Sequence, residues 1–343
     1  MRLLNYFMKN KKIIILGATG QIGKELSLEF SKIKNIETIS HSRTKVGSSF
    51  FKFYNLPNIV GDLNNNIIMR EISNADLIFD LAAPDHGTLK EIKKFYYKRF
   101  NMIIPFMKQN SKFVFASTMN AFGADNKRKK LKNYIISSSV YASNKRYAES
   151  YARKLCKKNS LDIYIIRLAE VHGKYQRASA NIISLIANKF LFEIPNTPAW
   201  ITFIVLIKSA IVDILENRVK PGLYTLTCDD IYWNELIEYF GKKINIKPKF
   251  QIIDQNFNFL NKFKNLLYYF INSQKDFIRG NINLTKNFQD LMGLNYRIDK
   301  ALKEGEKIKL KKIKVYRDYS RYKGVLPGKR IQSIKYDKNL LLK

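Results

Sequence analysis

Residues 12–23 read Lys-Ile-Ile-Ile-Leu-Gly-Ala-Thr-Gly-Gln-Ile-Gly, and this stretch decides the fold. The apolar β-branched run predicts a buried strand, and Gly17, Gly20 and Gly23 predict a tight turn into a helix. Amides at the start of such a helix can hold a diphosphate, because they carry the positive end of the helix dipole. The stretch therefore indicates a dinucleotide site where the first strand ends.

Strand and helix patterns alternate through the first half of the chain. The predicted strands are Ile13–Leu16, Ile36–Ser40, Leu77–Leu81, Lys112–Ala116 and Ile163–Leu168, with helices at Gln21–Ile33 and about 139–157. Such alternation is typical of parallel strands joined by crossover helices. We therefore predict an α/β fold with a Rossmann-like doubly wound parallel sheet. Gly17, Asp62, Ala82 and Thr118 follow predicted strands and should line one edge of it.

The pattern loosens from about Gly173, which predicts a smaller C-terminal substrate lobe. The elements predicted there are a strand at Gly222–Thr227 and helices near Asn181–Phe190, Phe203–Leu215 and Ile231–Gly241. The expected domains are an NAD(P)-binding domain at 1–172, a substrate-binding lobe at 173–296 and a basic extension at 297–343. A helical apolar stripe in Phe257–Ile271 predicts core or subunit packing. Alternating apolar and basic residues between Lys307 and Arg317 predict a strand.

The net charge of +33 is the unusual global property of these 343 residues. Such a charge favours acidic partners in general. The lysines are, however, spread along the whole chain. Residues 297–343 alone hold sixteen Lys and Arg against five Asp and Glu. We interpret the charge as a solvated basic surface. We expect no specific nucleic-acid partner, and association with a membrane surface is an alternative that we do not favour.

The two cysteines, Cys156 and Cys228, lie far apart in the sequence. Their spacing argues against a disulfide framework and against a zinc site, so we predict no metal.

The apolar patch near the N-terminus is too short for the core of a signal peptide. The stretch Ala199–Leu215 contains Lys208 and Asp213 and reads as a buried helix rather than a membrane span. A cytoplasmic location is expected.

A second motif, Tyr141-Ala142-Ser143-Asn144-Lys145, places a phenol and an ammonium one helical turn apart. With the glycine turn upstream, the chain resembles the extended short-chain dehydrogenases/reductases of the NAD-dependent epimerase/dehydratase type, many of which act on nucleotide sugars. The resemblance covers roughly residues 12–241. It implies catalytic roles for Tyr141 and Lys145, and a third for Thr118 at the end of the strand that precedes Phe122-Gly123.

The resemblance also implies a set of cofactor contacts. Asp62-Leu63 resembles the pair that contacts adenine, and Leu81-Ala82-Ala83 resembles a cofactor-lining turn. Arg167-Leu168 and Gly173 resemble the strand and loop that lead to the substrate lobe. The predicted cofactor-binding residues are Gly17, Thr19, Gly20, Gln21, Ile22, Gly23, Ser42, Arg43, Asp62, Leu63, Leu81, Ala82, Ala83 and Lys145.

The chemistry of the Tyr141 motif can be argued from its residue types. A free tyrosine titrates near pH 10, and a nearby ammonium such as that of Lys145 is expected to lower its pKa. Tyr141 could then exchange a proton with a substrate oxygen while hydride moves to or from a nicotinamide. The Thr118 hydroxyl would hydrogen-bond the same oxygen and position it. Lys145 could also contact the nicotinamide ribose.

The end of the second predicted strand bears on the choice of cofactor. A carboxylate there favours NAD, whereas an arginine accommodates the phosphate of NADP. The chain has Ser40, followed by His41-Ser42-Arg43. We therefore predict that NADP is favoured over NAD.

Two departures from the family pattern narrow the reaction. Met119-Asn120 stands where 4,6-dehydratases carry an Asp-Glu pair, and these side chains do no acid/base work, so a dehydratase is disfavoured. Glu170 stands where many relatives have an Asn near the substrate diphosphate. Because a carboxylate would repel a diphosphate, either Glu170 is paired with a cation or the substrate is not a typical nucleotide sugar. His86 and His172 are interpreted as loop or structural residues.

The leading hypothesis is a 4-epimerase or 4-keto reductase of a nucleotide-activated sugar in polysaccharide synthesis, acting as a homodimer. The reductase is slightly preferred because of Arg43. One alternative is an NADP-dependent ketoreductase with a non-sugar carbonyl substrate. The other is a non-catalytic dinucleotide-binding protein with a basic docking tail.

Overall fold

A computed structural model describes residues 10–84, 87–121, 140–228, 230–253 and 312–314. They form two compact units. The first contains the described residues up to Ile182 together with Pro198–Ile231, and the second contains Ile183–Thr197 and the described residues from Tyr232 onward.

The strands of the described residues are β1 (Lys11–Leu16), β2 (Ile36–Ser42), β3 (Asn58–Val60), β4 (Leu77–Asp80), β5 (Lys112–Thr118), β6 (Asp162–Leu168), β7 (Glu170–His172), β8 (Leu191–Pro195), β9 (Ile201–Phe203), β10 (Gly222–Leu226), β11 (Lys249–Ile253) and β12 (Lys312–Lys314). The α-helices are α1 (Gln21–Phe30), α2 (Ser49–Phe53), α3 (Asn66–Asn74), α4 (Leu89–Ile103), α5 (Val140–Lys158), α6 (Arg177–Ala187), α7 (Ile204–Leu215) and α8 (Trp233–Lys243).

A seven-stranded sheet forms the centre of the first unit, in the order β10-β6-β5-β4-β1-β2-β3. Every neighbouring pair in it is parallel. The strand order reverses between β1 and β4, which is the point where doubly wound sheets bind ligands beyond the carboxyl ends of the strands. The predicted Rossmann-like α/β class is confirmed.

The central strands are apolar on both faces because helices cover both sides of a parallel sheet. Ile13–Leu16 in β1 are fully buried, and so are Leu77–Phe79 in β4. On one side the core extends into α4 and α5 through residues such as Phe100 and Ala152. This packing makes the sheet a rigid base for the loops at its carboxyl edge.

Some elements differ from those predicted. The strand before Asp62 is β3, and its three residues carry too little alternation for its bounds to be predicted. The helix α3 was not predicted. The predicted strand at Gly222–Thr227 exists as β10, but it pairs with β6 at the edge of the large sheet. Ala199–Leu215 contains β9 and the buried helix α7. The assignment of cofactor and substrate domains at 1–172 and 173–296 stays a prediction.

The second unit contains a three-stranded parallel sheet in the order β11-β8-β12, with α8 packed against β8. Lys312–Lys314 is thus a strand within the segment where alternation predicted one. The rest of the extension 297–343 and the stripe Phe257–Ile271 lie outside the described residues.

Among the described residues, no helix combines the length and apolarity that a membrane span needs. Over the same ranges, no group of three or more His, Cys, Asp or Glu side chains is arranged to hold a metal ion. Cys156 and Cys228 are both buried and form no disulfide. Burial raises the pKa of the Cys156 thiol to about 12.

Candidate active site

The glycine turn joins β1 to α1 and packs tightly against the turn after β4. Gly17 has φ +75°, and an ideal Cβ there would lie 2.6 Å from the Ala82 nitrogen. The Gly20 amide donates to the Gly17 carbonyl at 3.1 Å and closes the turn. A side chain at position 17 would therefore be strained by its backbone and would clash with Ala82.

Helix α1 begins immediately after this turn. Its N-cap is Gly20, which offers no side-chain cap, and its first turn has no acidic residue. Gly23 lets the helix pack on the preceding loop, because a Cβ there would lie 2.5 Å from Ala18 Cα. The positive end of the helix dipole is therefore not offset by a carboxylate, which suits a bound diphosphate.

The other predicted residues of this turn have different surroundings. Thr19 lies beside Gly47, and Gln21 Oε1 accepts from the Arg177 amide at 2.9 Å. Ile22 is half-buried. The structure thus brings Gly17, Gly20 and Ala82 together, while Gln21 is directed to the loop before α6.

The end of β2 does not form an arginine pocket. Ser42 is fully buried and accepts from Asn58 Nδ2 at 2.9 Å. Arg43 is exposed to solvent. Asp62 is also exposed, whereas Leu63 packs against the core. Ser42 is therefore turned into the sheet, and Arg43 has the exposure of an ordinary surface arginine.

The turn after β4 is fixed by a buried ion pair. Asp80 is fully buried and accepts from Arg99 Nε at 2.8 Å and from Arg99 Nη2 at 2.9 Å. Asp80 Oδ1 also accepts from the Ala82 amide at 3.0 Å. Leu81 and Ala82 are half-buried, and Ala83 is exposed. Asp80 therefore holds the backbone that faces Gly17.

Thr118 and Tyr141 lie together at the end of β5. Their hydroxyl groups share a hydrogen bond, and the Asn120 amide donates to Thr118 Oγ1 at 3.3 Å. Tyr141 is 44% exposed as a residue, but its hydroxyl is enclosed, and this burial raises its pKa. The hydrogen bond with Thr118 opposes the increase. Two hydroxyl groups are thus placed to hold one substrate oxygen.

Lys145 lies one turn along α5 and is 4% exposed. Its Nζ donates to the Ala116 carbonyl at 2.8 Å and lies 4.8 Å from the centre of the Phe115 ring. Burial lowers the pKa of Lys145 to about 8, against the opposing charges of Asp80 and Glu149. The expected lowering of the Tyr141 pKa by Lys145 is wrong for this arrangement, because burial raises that pKa and the opposing contribution comes from Thr118.

Glu149 supports this part of the site from within the core. It is fully buried and accepts from Arg167 Nε at 2.9 Å and from Arg167 Nη2 at 2.7 Å. The Ser117 hydroxyl donates to Glu149 Oε1 at 2.5 Å. These contacts join α5, β5 and β6 beneath Thr118 and Lys145, so they fix the helix that carries Tyr141.

Sequence reasoning missed these supporting residues. Asp80 falls within the predicted strand Leu77–Leu81 and Arg167 within the predicted strand Ile163–Leu168, and neither pattern indicates an ion pair. The spacing of Glu149, four residues after Lys145, could have placed it on the same face of α5. Its partner Arg167 could not be deduced, because the two residues meet only through the fold.

Glu170 and His172 lie near each other in the strand β7. Glu170 Oε2 lies 3.9 Å from His172 Nε2, and His172 Nδ1 lies 3.2 Å from Ser179 Oγ. His172 is fully buried. These contacts place His172 in a packed interior. His86 lies outside the described residues.

Residues 13–196 match the model of the NAD dependent epimerase/dehydratase family. The match covers more than half of the chain, so the protein belongs to this family. No curated protein sequence matches the chain significantly.

Solved structures of similar fold have low sequence identity. UDP-glucuronic acid 4-epimerase from Bacillus cereus, in complex with NAD, is 17% identical, with a TM-score of 0.55 over 70% of this chain and 85% of that one. ADP-L-glycero-D-manno-heptose-6-epimerase from Helicobacter pylori is 17% identical, with a TM-score of 0.56 over 73% and 88%. dTDP-glucose 4,6-dehydratase from Bacillus anthracis, in complex with NAD, is 15% identical, with a TM-score of 0.52 over 71% and 84%.

These comparisons correct the predicted cofactor. The family is described as NAD-dependent, and two of the similar structures are NAD complexes, so the prediction that NADP is favoured is wrong. The physical reason lies at the end of β2. Arg43 is exposed, and an arginine near a strand end does not by itself make a phosphate pocket.

Proposed function

We propose that the protein is an NAD-dependent 4-epimerase of a nucleotide-activated sugar. The observation that carries this proposal is the hydrogen bond between the Tyr141 and Thr118 hydroxyls, one helical turn from Lys145. Two hydroxyls and an ammonium at the carboxyl edge of a doubly wound sheet suit proton exchange at an alcohol or ketone oxygen. Family membership supports the same class of chemistry.

The residues around the first turn are suited to NAD. Gly17 keeps the turn free of a side chain, and α1 starts with no acidic residue to repel a diphosphate. We assign the cofactor contacts to Gly17, Thr19–Gly23, Arg43, Asp62–Leu63, Leu81–Ala83 and Lys145. Ser42 is left out because it is fully buried and hydrogen-bonded to Asn58. When bound, NAD would supply hydride transfer from and to the sugar carbon.

Tyr141 and Thr118 act on the sugar oxygen. Tyr141 Oη accepts the hydroxyl proton as the carbonyl forms and gives it back as the carbonyl is reduced. Thr118 Oγ1 donates a hydrogen bond to the same oxygen and holds it in place. Because burial raises the pKa of Tyr141, loss of its proton needs an offsetting positive charge.

Lys145 is the group of the site that can supply that charge. In the structure its Nζ donates to the Ala116 carbonyl, and its pKa of about 8 lets it exchange a proton near neutral pH. A turn of the side chain from Ala116 toward Tyr141 would stabilise the phenolate. Lys145 is therefore assigned both to tune Tyr141 and to contact the cofactor.

Epimerisation is favoured over the other reactions considered. A reductase was preferred only because NADP was predicted as the cofactor. That prediction is wrong, so the preference no longer holds. An elimination would need an acid and a base after Thr118, but Met119 is buried and Asn120 carries an amide. A purely binding protein would have no use for the contact between Tyr141 and Thr118.

The proposal is tested first by mass spectrometry of ligands released from the purified protein. We expect NAD and a nucleotide sugar. The protein is then incubated with NAD and UDP-glucose, UDP-N-acetylglucosamine or UDP-glucuronic acid, and the products are examined by NMR. A C4 epimer, with no deuterium gained at carbon from D2O, supports the proposal. Solvent deuterium at C5, which marks elimination across C5 and C6, or no dinucleotide binding at all, would overturn it. The expected homodimer can be measured by sedimentation of the same sample.

A further inference from the structure

The segment Arg43–Tyr54, which follows β2 and contains α2, exposes two large apolar side chains. Val46 is 84% exposed and Phe53 is 81% exposed. Of the described residues, these are the most exposed large hydrophobics, and the next is Ile67 at 61%. Full exposure of both within one short segment is unusual for a surface that meets only water.

Backbone hydrogen bonds make the segment a succession of turns. The Ser48 amide donates to the Thr44 carbonyl, the Ser49 amide to the Val46 carbonyl and the Lys52 amide to the Ser48 carbonyl. Val46 lies in the turn that precedes α2, and Phe53 is the last residue of that helix. Both side chains are exposed to solvent, and we call these two side chains the apolar strip.

Basic side chains border this strip. Lys45 and Lys52 directly precede Val46 and Phe53 in the sequence and are exposed, and Arg43 is exposed at the start of the segment. No Asp or Glu occurs between Glu37 and Asp62. The strip thus has cations beside it and no acidic neighbour in its own segment.

The base of the segment is held by aromatic packing. Phe50 lies edge-on to Tyr175 at 5.9 Å, and the Tyr54 and Tyr175 hydroxyls are 2.8 Å apart. Lys24 Nζ lies 5.4 Å from the Phe50 ring, and Lys174 Nζ lies 5.4 Å from the Tyr175 ring. Buried Phe51 anchors the opposite side. Val46 and Phe53 are therefore presented from an ordered base that carries two more cations.

We propose that the segment Arg43–Tyr54 docks the protein on an anionic lipid surface. Val46 and Phe53 would enter the boundary between headgroups and acyl chains, while Lys45 and Lys52 contact anionic headgroups. A single-stranded nucleic acid is disfavoured because Val46 has no ring on which a base could stack. A second copy is disfavoured because a two-fold contact would bring the same cations together. This surface is independent of the proposed reaction.

The test is flotation of the full-length protein with vesicles of phosphatidylcholine, alone or mixed with phosphatidylglycerol. We expect binding only to the mixed vesicles, weakened by salt. Val46→Ser with Phe53→Ser should weaken it by about tenfold or more, because two apolar side chains no longer leave water. Lys45→Gln with Lys52→Gln should weaken it on the order of tenfold.

Two control variants test whether vesicle binding depends on this surface or on exposed apolar and basic side chains in general. Ile67→Ser removes another exposed apolar group, and Lys94→Gln with Lys98→Gln removes two exposed charges from α4. Both should bind vesicles like the wild type. Equal loss in the controls, no vesicle binding by the wild type, or a Val46/Phe53 variant that keeps full binding would overturn the proposal. The proposal would also be overturned if the Val46/Phe53 variant kept its vesicle binding but no longer bound poly-uridine or no longer formed a dimer.

Discussion

The carboxylate of Glu25 occupies the place that a side chain at residue 173 would need. An ideal Cβ on Gly173 would lie 2.4 Å from Glu25 Oε1. The same carboxylate accepts from the Lys174 amide at 2.7 Å, the Tyr175 amide at 3.0 Å and Gln176 Nε2 at 2.7 Å. Because Glu25 belongs to α1, the loop after β7 is tied to the helix that starts at the glycine turn.

Gly173→Ala should therefore destabilise the protein by about 1–3 kcal/mol, because the new methyl group displaces the Glu25 carboxylate from its three donors. Urea unfolding of the purified protein measures the change. Gly222→Ala is the matched control, since a Cβ there would lie 3.5 Å from Tyr224, an ordinary contact. Equal stability of the two variants would show that the Glu25 contact is dispensable.

Tyr141→Phe should lower turnover by about 100-fold or more, because the proton route to the sugar oxygen is lost. NAD affinity, measured by titration calorimetry, should stay near that of the wild type, since the glycine turn is untouched. Tyr97→Phe, which removes a hydroxyl from an exposed tyrosine of α4, should leave both quantities unchanged. Normal turnover in the Tyr141 variant would remove this residue from the mechanism.

Because of Lys145, the free energy of unfolding should depend on pH in the alkaline range. Its folded-state pKa of about 8 lies below the ordinary value of 10.5, so the unfolded chain binds more protons between these values. Stability should rise through this window, by about 1 kcal/mol between pH 7 and pH 9. Lys145→Met should lack this increase when unfolding is followed at both pH values. An identical pH profile for both proteins would contradict the lowered pKa.

Arg167→Met should cost about 3–5 kcal/mol, because it leaves Glu149 buried without its bidentate partner. The same measurement on Lys108→Met, whose partner Asp76 is partly solvated, should show a change below about 1 kcal/mol. Adding Glu149→Leu to Arg167→Met should recover part of the loss, since no charge then remains buried. Failure of the second change to help would indicate that packing, rather than the uncompensated charge, sets the cost.

The sequence predicted the parts of this fold that depend on local pattern. The run before Gly17 formed β1, and the alternation of strands and helices led to the correct sheet class. The catalytic roles of Thr118, Tyr141 and Lys145 were implied by the resemblance of their motifs to a known family, and these roles stay predictions.

Features that depend on distant contacts were not predictable. The pairs of Asp80 with Arg99 and of Glu149 with Arg167 join separate elements, and no spacing along the chain reveals them. The cofactor prediction failed for a related reason, because the solvent exposure of Arg43 depends on the folded loop. The pKa of Tyr141 likewise depends on how deeply its hydroxyl is enclosed.

The burial of both native cysteines has a practical consequence for spectroscopy. The chain has only Cys156 and Cys228, both are fully buried, and the pKa of Cys156 near 12 keeps it in the unreactive thiol form. A thiol introduced by Val46→Cys would then be the one group that reacts quickly with a maleimide dye. A polarity-sensitive fluorophore placed there would report directly on its surroundings, without first building a cysteine-free background.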